Sequence, residues 1–420
     1  MTQADQAHAA LDAWIDAHFD QQVAFLQELV RVPTDTPPGN NAPHARRTAE
    51  LLKAFGFEAE HHPVPQEQVR AHGLEAITNL IVRRRYTEAP RRTIALNAHG
   101  DVVPPGEGWT KPPYGAVIED GRLYGRASAV SKSDFSTYTF ALRALEAVTQ
   151  QQGITLTGNA ELHFTYDEEM GGELGPGWLL GQGLTKPDLL LAAGFSYQVV
   201  TAHNGCLQMQ VTVHGKMAHA AIPHTGVDAL QAAVTILQAL YGLNVRYKSF
   251  KSGVAGINHP YLNVGRIDGG THTNVVPGKV VFKLDRRMIP EEDPVQVEAE
   301  IRRTIEGAAG ALAGVTVEID RLLLARALKP LPGNLPLVAA LQRHGEAVFG
   351  EPIPVSGTPL YTDARLYGER GIPAVIYGAG PRTVLESNAK RADEHLVLDD
   401  LRRATRVVAR ALLDLLGPAA

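Results

Sequence analysis

The chain has 420 residues, 44% of them apolar and 20% charged, which excludes a disordered or collagen-like protein and provides for two or three compact units. Forty basic against forty-five acidic side chains leave a formal net charge of −5, so neither nucleic acid nor an anionic membrane is expected as a partner. Cys206 is the only cysteine, which excludes an intrachain disulfide. Without a signal-peptide pattern or a membrane-length apolar run, we expect a cytoplasmic protein.

The first two hundred residues carry the pattern of an α/β domain. Apolar residues from about Ala10 to Val30 recur every three or four positions and predict one amphipathic helix. The segments that follow predict helices at Ala45–Phe55 and Lys132–Thr149 and strands at Asn79–Val82, Thr93–Asn97, Glu161–Tyr166 and Asp188–Ala192. This alternation predicts a doubly wound sheet whose chemistry lies at the carboxyl ends of its strands.

After about residue 203 the pattern changes to a β-α-β-β-α-β order typical of a smaller α+β domain. The α/β pattern resumes near Leu337 and ends with a helix at Leu398–Leu416, so the small domain is an insertion. We therefore predict a large domain formed by residues 1–202 and 321–420 and an inserted domain at residues 203–320.

Three segments carry side chains suited to catalysis. His99 and Asp101 lie two residues apart, so they share one face of an extended segment and the carboxylate can orient the ring. Asp167-Glu168-Glu169 ends a predicted strand, where three successive acids repel each other unless a cation or a shared proton offsets them. His219 and His224 lie among Pro and Gly residues of the inserted domain, where either could also be only a turn residue.

Taken together, these segments resemble the family of two-zinc exopeptidases that includes aminoacylases, acetylornithine deacetylases, succinyl-diaminopimelate desuccinylases and carboxypeptidase G. The resemblance covers nearly the whole chain. It rests on nine ordered blocks: FLQELVRVPTDTPPG, NAHGDVVPPGEGW, YGRASAVSKSD, DEEMGG, GKMAHAAIPHTGVDAL, THTNVVPGKVVFKLDRRMIP, LYTDAR, YGAGP and NAKRADEHLVLDDL. It implies a zinc-exopeptidase-like α/β catalytic domain and an inserted α+β lid through which the protein forms a homodimer.

The resemblance also implies roles for individual residues. His99 matches a zinc ligand, Asp101 its orienting carboxylate, Glu168 the general base and Glu169 a second zinc ligand. Asn274 and Arg287 match positions that hold the substrate's carboxylate, and Gly380 is also assigned to substrate binding. His219 matches the lid histidine that stabilises the developing oxyanion.

The departures from the family pattern all fall on metal ligands. The bridging aspartate is replaced by Val130, a later carboxylate by Gly194, and the last histidine by Lys390. Methyl groups and a glycine offer no donor, and an ammonium repels a metal ion. Only His99 and Glu169 remain of five ligands, fewer than the three protein ligands of a catalytic zinc, so no metal cofactor is expected where the family would use two zinc ions.

The charge balance of the site is nevertheless retained. Two zinc ions, three carboxylates and a hydroxide sum to zero, and so do Glu169 and Lys390 alone. Lys390 therefore either fills the vacated cation position or takes part in catalysis. Ser131 and Lys132 lack the Ser-x-x-Lys spacing that lets a lysine activate a serine, so a serine nucleophile is not expected.

Three functions remain open from the sequence. The first is hydrolysis of a small N-acyl amino acid or dipeptide-like substrate, with Asp101, Glu168, His219 and Lys390 as catalytic residues and without the usual two-zinc centre. The second is metal-independent proton transfer by an isomerase, racemase or lyase on the same fold. The third is a non-catalytic, ligand-binding dimer.

Overall fold

The computed structural model describes residues 3–418, which divide into two compact units. The first contains the described residues up to Thr201, Pro330–Ser356 and the chain from Thr362 onwards. The second contains Ala202–Lys329 and Gly357–Tyr361. The inserted domain is predicted to begin after residue 202 and to end at residue 320. In the structure it continues to Lys329, because β14 (Thr316–Ala325) and the segment after it belong to the small unit.

Helices and strands are numbered in chain order. The helices are α1 (Gln3–Ala17), α2 (Phe19–Val30), α3 (Ala42–Lys53), α4 (Gln66–Ala71), α5 (Lys132–Gln152), α6 (Pro176–Gly181), α7 (Ala229–Tyr247), α8 (Pro294–Gly310), α9 (Leu335–Phe349), α10 (Ala364–Gly368) and α11 (Leu398–Leu416). The strands are β1 (Ala59–Pro63), β2 (Thr78–Arg84), β3 (Thr93–His99), β4 (Val117–Glu119), β5 (Arg122–Tyr124), β6 (Asn159–Thr165), β7 (Leu189–Ala192), β8 (Val199–His203), β9 (Gly205–His214), β10 (Ala218–His219), β11 (Tyr261–Gly269), β12 (Val275–Val276), β13 (Lys279–Met288), β14 (Thr316–Ala325), β15 (Val355–Thr358), β16 (Ala374–Ile376) and β17 (His395–Val397).

The large unit is built on a mixed eight-stranded sheet in the order β1-β2-β6-β3-β7-β16-β8-β15. Its centre is parallel, since β3 pairs in parallel with β6 and β7, and β7 with β16. These strands are almost continuously buried, as expected of strands that are covered on both faces. The long helices α5 and α11 pack against each other and contribute Phe135, Leu142 and Leu412 to the main core.

The small unit has the predicted β-α-β-β-α-β order, formed by β9, α7, β11, β13, α8 and β14. Its four strands form an antiparallel sheet in the order β11-β13-β9-β14. Strand β9 alternates between buried apolar and partly exposed polar residues along most of its length, and Val211 and Val213 pack against Ile236 of α7 and Ile301 of α8 in a separate core. The predicted α/β class with an inserted smaller domain is confirmed.

The single helix predicted from Ala10 to Val30 is wrong. The chain forms α1 and α2, which are separated at His18, where the backbone leaves the helical region and the ring Nδ1 lies 2.7 Å from the Trp14 carbonyl oxygen. The apolar stripe is continuous in sequence but is divided in space. Leu11 and Ile15 belong to the main core, whereas several α2 residues pack in a second cluster: Phe19, Val23, Leu26 and Val30.

No helix among residues 3–418 is long and apolar enough to cross a membrane.

Candidate active site

The candidate catalytic residues follow the parallel strands at the centre of the large sheet. His99 is the last residue of β3, Glu168 lies just after β6, and Gly194 follows β7. Gly380 lies in the loop after β16. Because β3, β6, β7 and β16 run parallel, their carboxyl ends meet at one edge of the sheet, the usual position for chemistry in this class.

His99, Asp101 and Glu168 form a buried ionic group at this edge. The His99 Nδ1 atom lies 3.0 Å from the Asp101 carbonyl oxygen and 3.5 Å from Asp101 Oδ1, and Nε2 lies 3.9 Å from Glu168 Oε2. Burial alone would lower the pKa of His99, but Glu168 and Asp101 raise it to about 10, so the ring is cationic at neutral pH. Asp101 also accepts a hydrogen bond from the Glu169 backbone N–H at 3.0 Å, which fixes the two acidic residues relative to the histidine.

Glu168 is the acidic residue of this group best suited to proton transfer. Burial, helped by the neighbouring Glu169, raises its pKa to about 7 against the opposing effect of the charges on His99 and Lys390. A carboxyl group with a pKa near neutrality can both take and release a proton at physiological pH, which is what a general base requires.

Lys390 lies directly against Glu169. Its Nζ atom donates to Glu169 Oε2 at 2.6 Å, and although burial opposes it, Glu169 and Glu168 hold the pKa of Lys390 above its ordinary value. The Glu169 side chain is 8% exposed and that of Lys390 57%, so the ammonium reaches the carboxylate from the solvent side. The two residues form an ion pair where the family resemblance implies two metal ligands.

The residues at this edge do not fit a pair of zinc ions. Val130 presents methyl groups, and a Cβ atom at Gly194 would overlap Ile376 Cγ2 and lie 3.3 Å from the Tyr377 nitrogen, so even a short side chain has no room there. The Lys390 ammonium is itself a cation bonded to Glu169. A donor set reduced to His99 and Glu169, with the latter already paired, is too small for a catalytic zinc.

Ser131 and Lys132 have structural partners. The Ser131 hydroxyl accepts from the His99 backbone N–H at 3.0 Å and donates to the His99 carbonyl at 3.1 Å, so it fixes the end of β3. Lys132 is fully buried and donates from Nζ to the Val32 carbonyl at 2.9 Å. Burial lowers the pKa of Lys132 to about 7, because the charged form is poorly solvated there.

Two further buried carboxyl groups lie near these residues: that of Asp167, which the sequence analysis named only as part of the acidic run, and that of Asp363, which it missed. Burial raises the pKa of both well above the usual range, and neighbouring acidic residues add to the shift, Glu168 most strongly at Asp363. Asp363 belongs to the LYTDAR block, so the signal was present, but only the fold brings it near the Glu168 carboxylate. A raised pKa favours the protonated form of each carboxyl group and so reduces the negative charge of the site.

The sequence analysis also missed a buried ion pair that supports Lys390. Arg126 Nη1 donates to Glu394 Oε2 at 2.7 Å, and both side chains are almost fully buried. Glu394 also accepts from the backbone N–H groups of Ala129 at 3.3 Å and Lys390 at 3.4 Å. This pair therefore joins the turn that carries Lys390 to the segment that carries Val130.

Asp134 connects two of the loops at the sheet edge. Its buried carboxylate accepts from the Ala379 backbone N–H at 2.7 Å, and burial raises its pKa to about 7. Gly380 donates its N–H to the Gly194 carbonyl at 2.8 Å and accepts from Ser196 Oγ at 2.8 Å. Gly380 thus uses its backbone groups within the fold, and its assignment to substrate binding stays a prediction.

The remaining predicted residues lie in the small unit. His219 is exposed at the end of β10, and its Nδ1 atom accepts from the Ala221 backbone N–H at 3.1 Å. Asn274 is exposed beside it, since the Ala220 N–H donates to the Asn274 carbonyl at 3.0 Å. Arg287 lies on β13, where its Nε atom pairs with Asp285 Oδ1 at 2.7 Å. Within this unit the fold brings His219 and Asn274 together, and their predicted roles stay predictions.

Comparisons with known proteins agree with this architecture. The chain is 27% identical over 402 residues to a succinyl-diaminopimelate desuccinylase of Methylobacterium nodulans, covering 93% of this chain and 95% of the relative. It is 28% identical over 416 residues to the enzyme of the same name from Methylorubrum extorquens, covering 93% and 97%.

Solved structures share the fold at lower sequence identity. The M20 metallo-carboxypeptidase Sso-CP2 of Sulfolobus solfataricus superposes with a TM-score of 0.74 at 18% identity, covering 93% of this chain and 97% of that one. Human carnosine dipeptidase 1 superposes with a TM-score of 0.74 at 15% identity, covering 99% of each chain. A dinuclear metal-binding M20 peptidase of Bacillus subtilis, YXEP, gives a TM-score of 0.64 at 16% identity, covering 96% and 99%.

The family assignment rests on a match to most of the chain. The sequence profile of peptidase family M20/M25/M40 matches residues 95–414, about three quarters of the length. The match includes every predicted site residue from His99 to Lys390, and it confirms the expectation of a hydrolase-type enzyme. The chain therefore belongs to peptidase family M20/M25/M40.

Proposed function

We propose that this protein hydrolyses the amide bond of a small N-acyl amino acid or dipeptide-like substrate without a dinuclear zinc centre. The observation that carries the proposal is the 2.6 Å contact between Lys390 Nζ and Glu169 Oε2. It places a permanent cation beside the candidate base Glu168 at the position where the family resemblance implies metal. The retained Glu168 and the new ammonium together provide the two functions that hydrolysis needs, a base and a positive charge near the carbonyl oxygen.

In the proposed reaction Glu168 transfers the proton, and Lys390 and His99 offset the charge that develops on the carbonyl oxygen. Glu168 takes a proton from water as the water oxygen bonds to the carbonyl carbon, and the carbonyl oxygen becomes an oxyanion. Lys390 and the cationic His99 offset the growing negative charge of that oxygen. Protonated Glu168 then delivers its proton to the amide nitrogen while the carbon–nitrogen bond breaks. The products are a carboxylic acid and a free amine.

The substrate class is inferred from the relatives and from the small unit. Two relatives are named as desuccinylases, which remove a succinyl group from an amine, so a dicarboxylic acyl group is the first to test. Arg287 and Asn274 are proposed to hold the substrate's free carboxylate and His219 to contact the oxyanion. A homodimer through residues 203–320 and a cytoplasmic location likewise remain predictions.

The test measures release of primary amine from N-succinyl and N-acetyl amino acids and from dipeptides. We expect turnover that is unchanged by a zinc chelator and falls about 10²–10⁴-fold in Glu168→Gln. Glu346→Gln, an exposed change on α9, is the matched control and should behave like the parent.

Three outcomes would contradict the proposal. Activity that disappears with the chelator and returns with zinc or cobalt would show that the metal centre is functional. Exchange of a substrate C–H proton with solvent deuterium, without amine release, would favour proton transfer. Tight binding of substrates without either reaction would favour the ligand-binding dimer.

A further inference from the structure

Three metal-ligating side chains from three different helices converge within the large unit. His8 lies on α1, His344 on α9 and Asp414 on α11. His8 Nε2 lies 2.9 Å from Asp414 Oδ1, and His344 Nε2 lies 2.6 Å from Asp414 Oδ2. One ligand atom from each of the three residues lies within 4.8 Å of the others, and the two rings are in edge contact with centroids 4.7 Å apart.

This geometry is close to that of a tetrahedral zinc site. Zinc binds histidine nitrogen and carboxylate oxygen at about 2.0–2.2 Å, which places neighbouring ligand atoms about 3.3 Å apart in a tetrahedron. The observed separations differ from this value by about an ångström or less for the two hydrogen-bonded pairs. Binding would therefore replace two hydrogen bonds by coordination with small side-chain movements, and a fourth position would remain for water.

The environment of the cluster is compatible with an ion entering from solution. The side chains of His8, His344 and Asp414 are 16%, 5% and 21% exposed, so the cluster is sheltered but reachable. Arg343 also pairs with Asp414, but its side chain is 63% exposed and lies at the rim, where it can turn outward. Two neutral imidazoles and one carboxylate leave a zinc complex with a single positive charge, which a partly exposed site tolerates.

We propose that His8, His344 and Asp414 form a binding site for a divalent transition metal, with zinc as the first candidate. Within residues 3–418, these three residues form the one group of histidine, cysteine or acidic side chains whose ligand atoms all lie within 4.8 Å of one another. The residues around His99 do not form such a group. The ion would join α1 to α9 and α11. This metal-site proposal is independent of the proposed function, because the three residues lie on α1, α9 and α11 and the candidate active site is built from other helices, strands and loops.

The experiment titrates chelator-treated full-length protein with zinc chloride and follows heat and thermal unfolding. We expect one zinc per chain and, at free zinc a hundredfold above its dissociation constant, a rise in Tm of about 3 °C. Cobalt(II) provides a second readout, since tetrahedral coordination gives strong visible absorption bands. His8→Gln and Asp414→Asn should lose the zinc, the cobalt bands and the Tm rise.

Two controls separate this site from other histidines. His18→Gln removes a histidine between α1 and α2 whose Nδ1 atom lies 2.7 Å from the Trp14 carbonyl oxygen, and it should retain the zinc. His99→Gln should also retain it, and its loss of zinc would instead locate the ion in the active site and count against the proposed metal-free hydrolysis. If His8→Gln and Asp414→Asn bind zinc like the parent, or if the parent binds none, the cluster is only a hydrogen-bonded contact between helices and the proposal is wrong.

Discussion

Replacement of Lys390 by methionine separates a catalytic lysine from one that merely fills a vacated position. The change removes the ammonium that contacts Glu169 at 2.6 Å and leaves an 8% exposed carboxylate near two other acidic groups. Breaking a fully buried pair costs about 3–5 kcal/mol, whereas an exposed pair contributes about 0–1 kcal/mol. With Lys390 57% exposed, we expect a loss of about 2 kcal/mol in the free energy of unfolding.

The effect on rate should be larger than the effect on stability. Removing one group that stabilises an oxyanion lowers turnover about 10²–10³-fold, or about 2.7–4 kcal/mol in the activation free energy. A double-mutant cycle of Lys390→Met and Glu169→Gln, with amine release and urea unfolding measured on each variant, isolates the coupling between the two side chains. Lys111→Met, which removes a surface partner of Glu119, is the matched control and should leave both quantities close to their parental values.

Two results for Lys390→Met would refute a catalytic role for this lysine. If Lys390→Met loses about 2 kcal/mol of stability but turns over substrate at the parental rate, Lys390 only neutralises Glu169. If it loses neither, the ion pair has no energetic role.

Further predictions concern the base, the zinc positions and the assembly. Because the pKa of Glu168 is raised to about 7, turnover should increase with pH, with a midpoint near pH 7. The same shift affects stability, since Glu168 is protonated in the folded chain at pH values where it has lost its proton in the unfolded chain. The free energy of unfolding, measured by denaturant titration, should therefore decrease as pH rises from about 4.5 to about 7. Gly194→Ala should lower the free energy of unfolding by about 1–3 kcal/mol, because its Cβ would overlap Ile376, and an unchanged Tm would refute this packing. Residues 203–320 should mediate a two-fold dimer through an edge strand or a helix, and a monomer by light scattering at micromolar concentration would contradict this.

The sequence predicted most of the architecture because local patterns determine it. The change of pattern after about residue 203 predicted the element order of the small unit, and the segments before His99 and Glu168 located β3 and β6 within two residues. The division of the N-terminal helix into α1 and α2 at His18 could not be predicted from the apolar pattern. The period of the apolar residues continues through it, and nothing in that pattern marks the change of backbone conformation at His18.

The missed features of the candidate site depend on contacts between distant residues. Arg126 and Glu394 are 268 positions apart, and no periodicity relates them. Asp363 is one acidic residue among many in the sequence, and its carboxyl group becomes unusual only through burial beside other acidic groups. The residues at the three positions that the family resemblance assigns to zinc ligands could be judged from the sequence alone, because valine, glycine and lysine offer no metal donor whatever the surrounding fold.

The packing of α1 against α11 has a consequence for synthesis of the chain. Asp12 and Arg410 are ion-paired at 2.5 Å although 398 positions separate them, and Leu11 is fully buried in the core that α11 completes. At about 5–20 residues per second, a ribosome needs about 20–80 s to deliver the second helix after the first. During this interval the apolar face of α1 has no native cover from α11. The nascent chain should therefore be a chaperone client from its first helix onward, and deleting α11 should yield an aggregating polypeptide even though every candidate catalytic residue is retained.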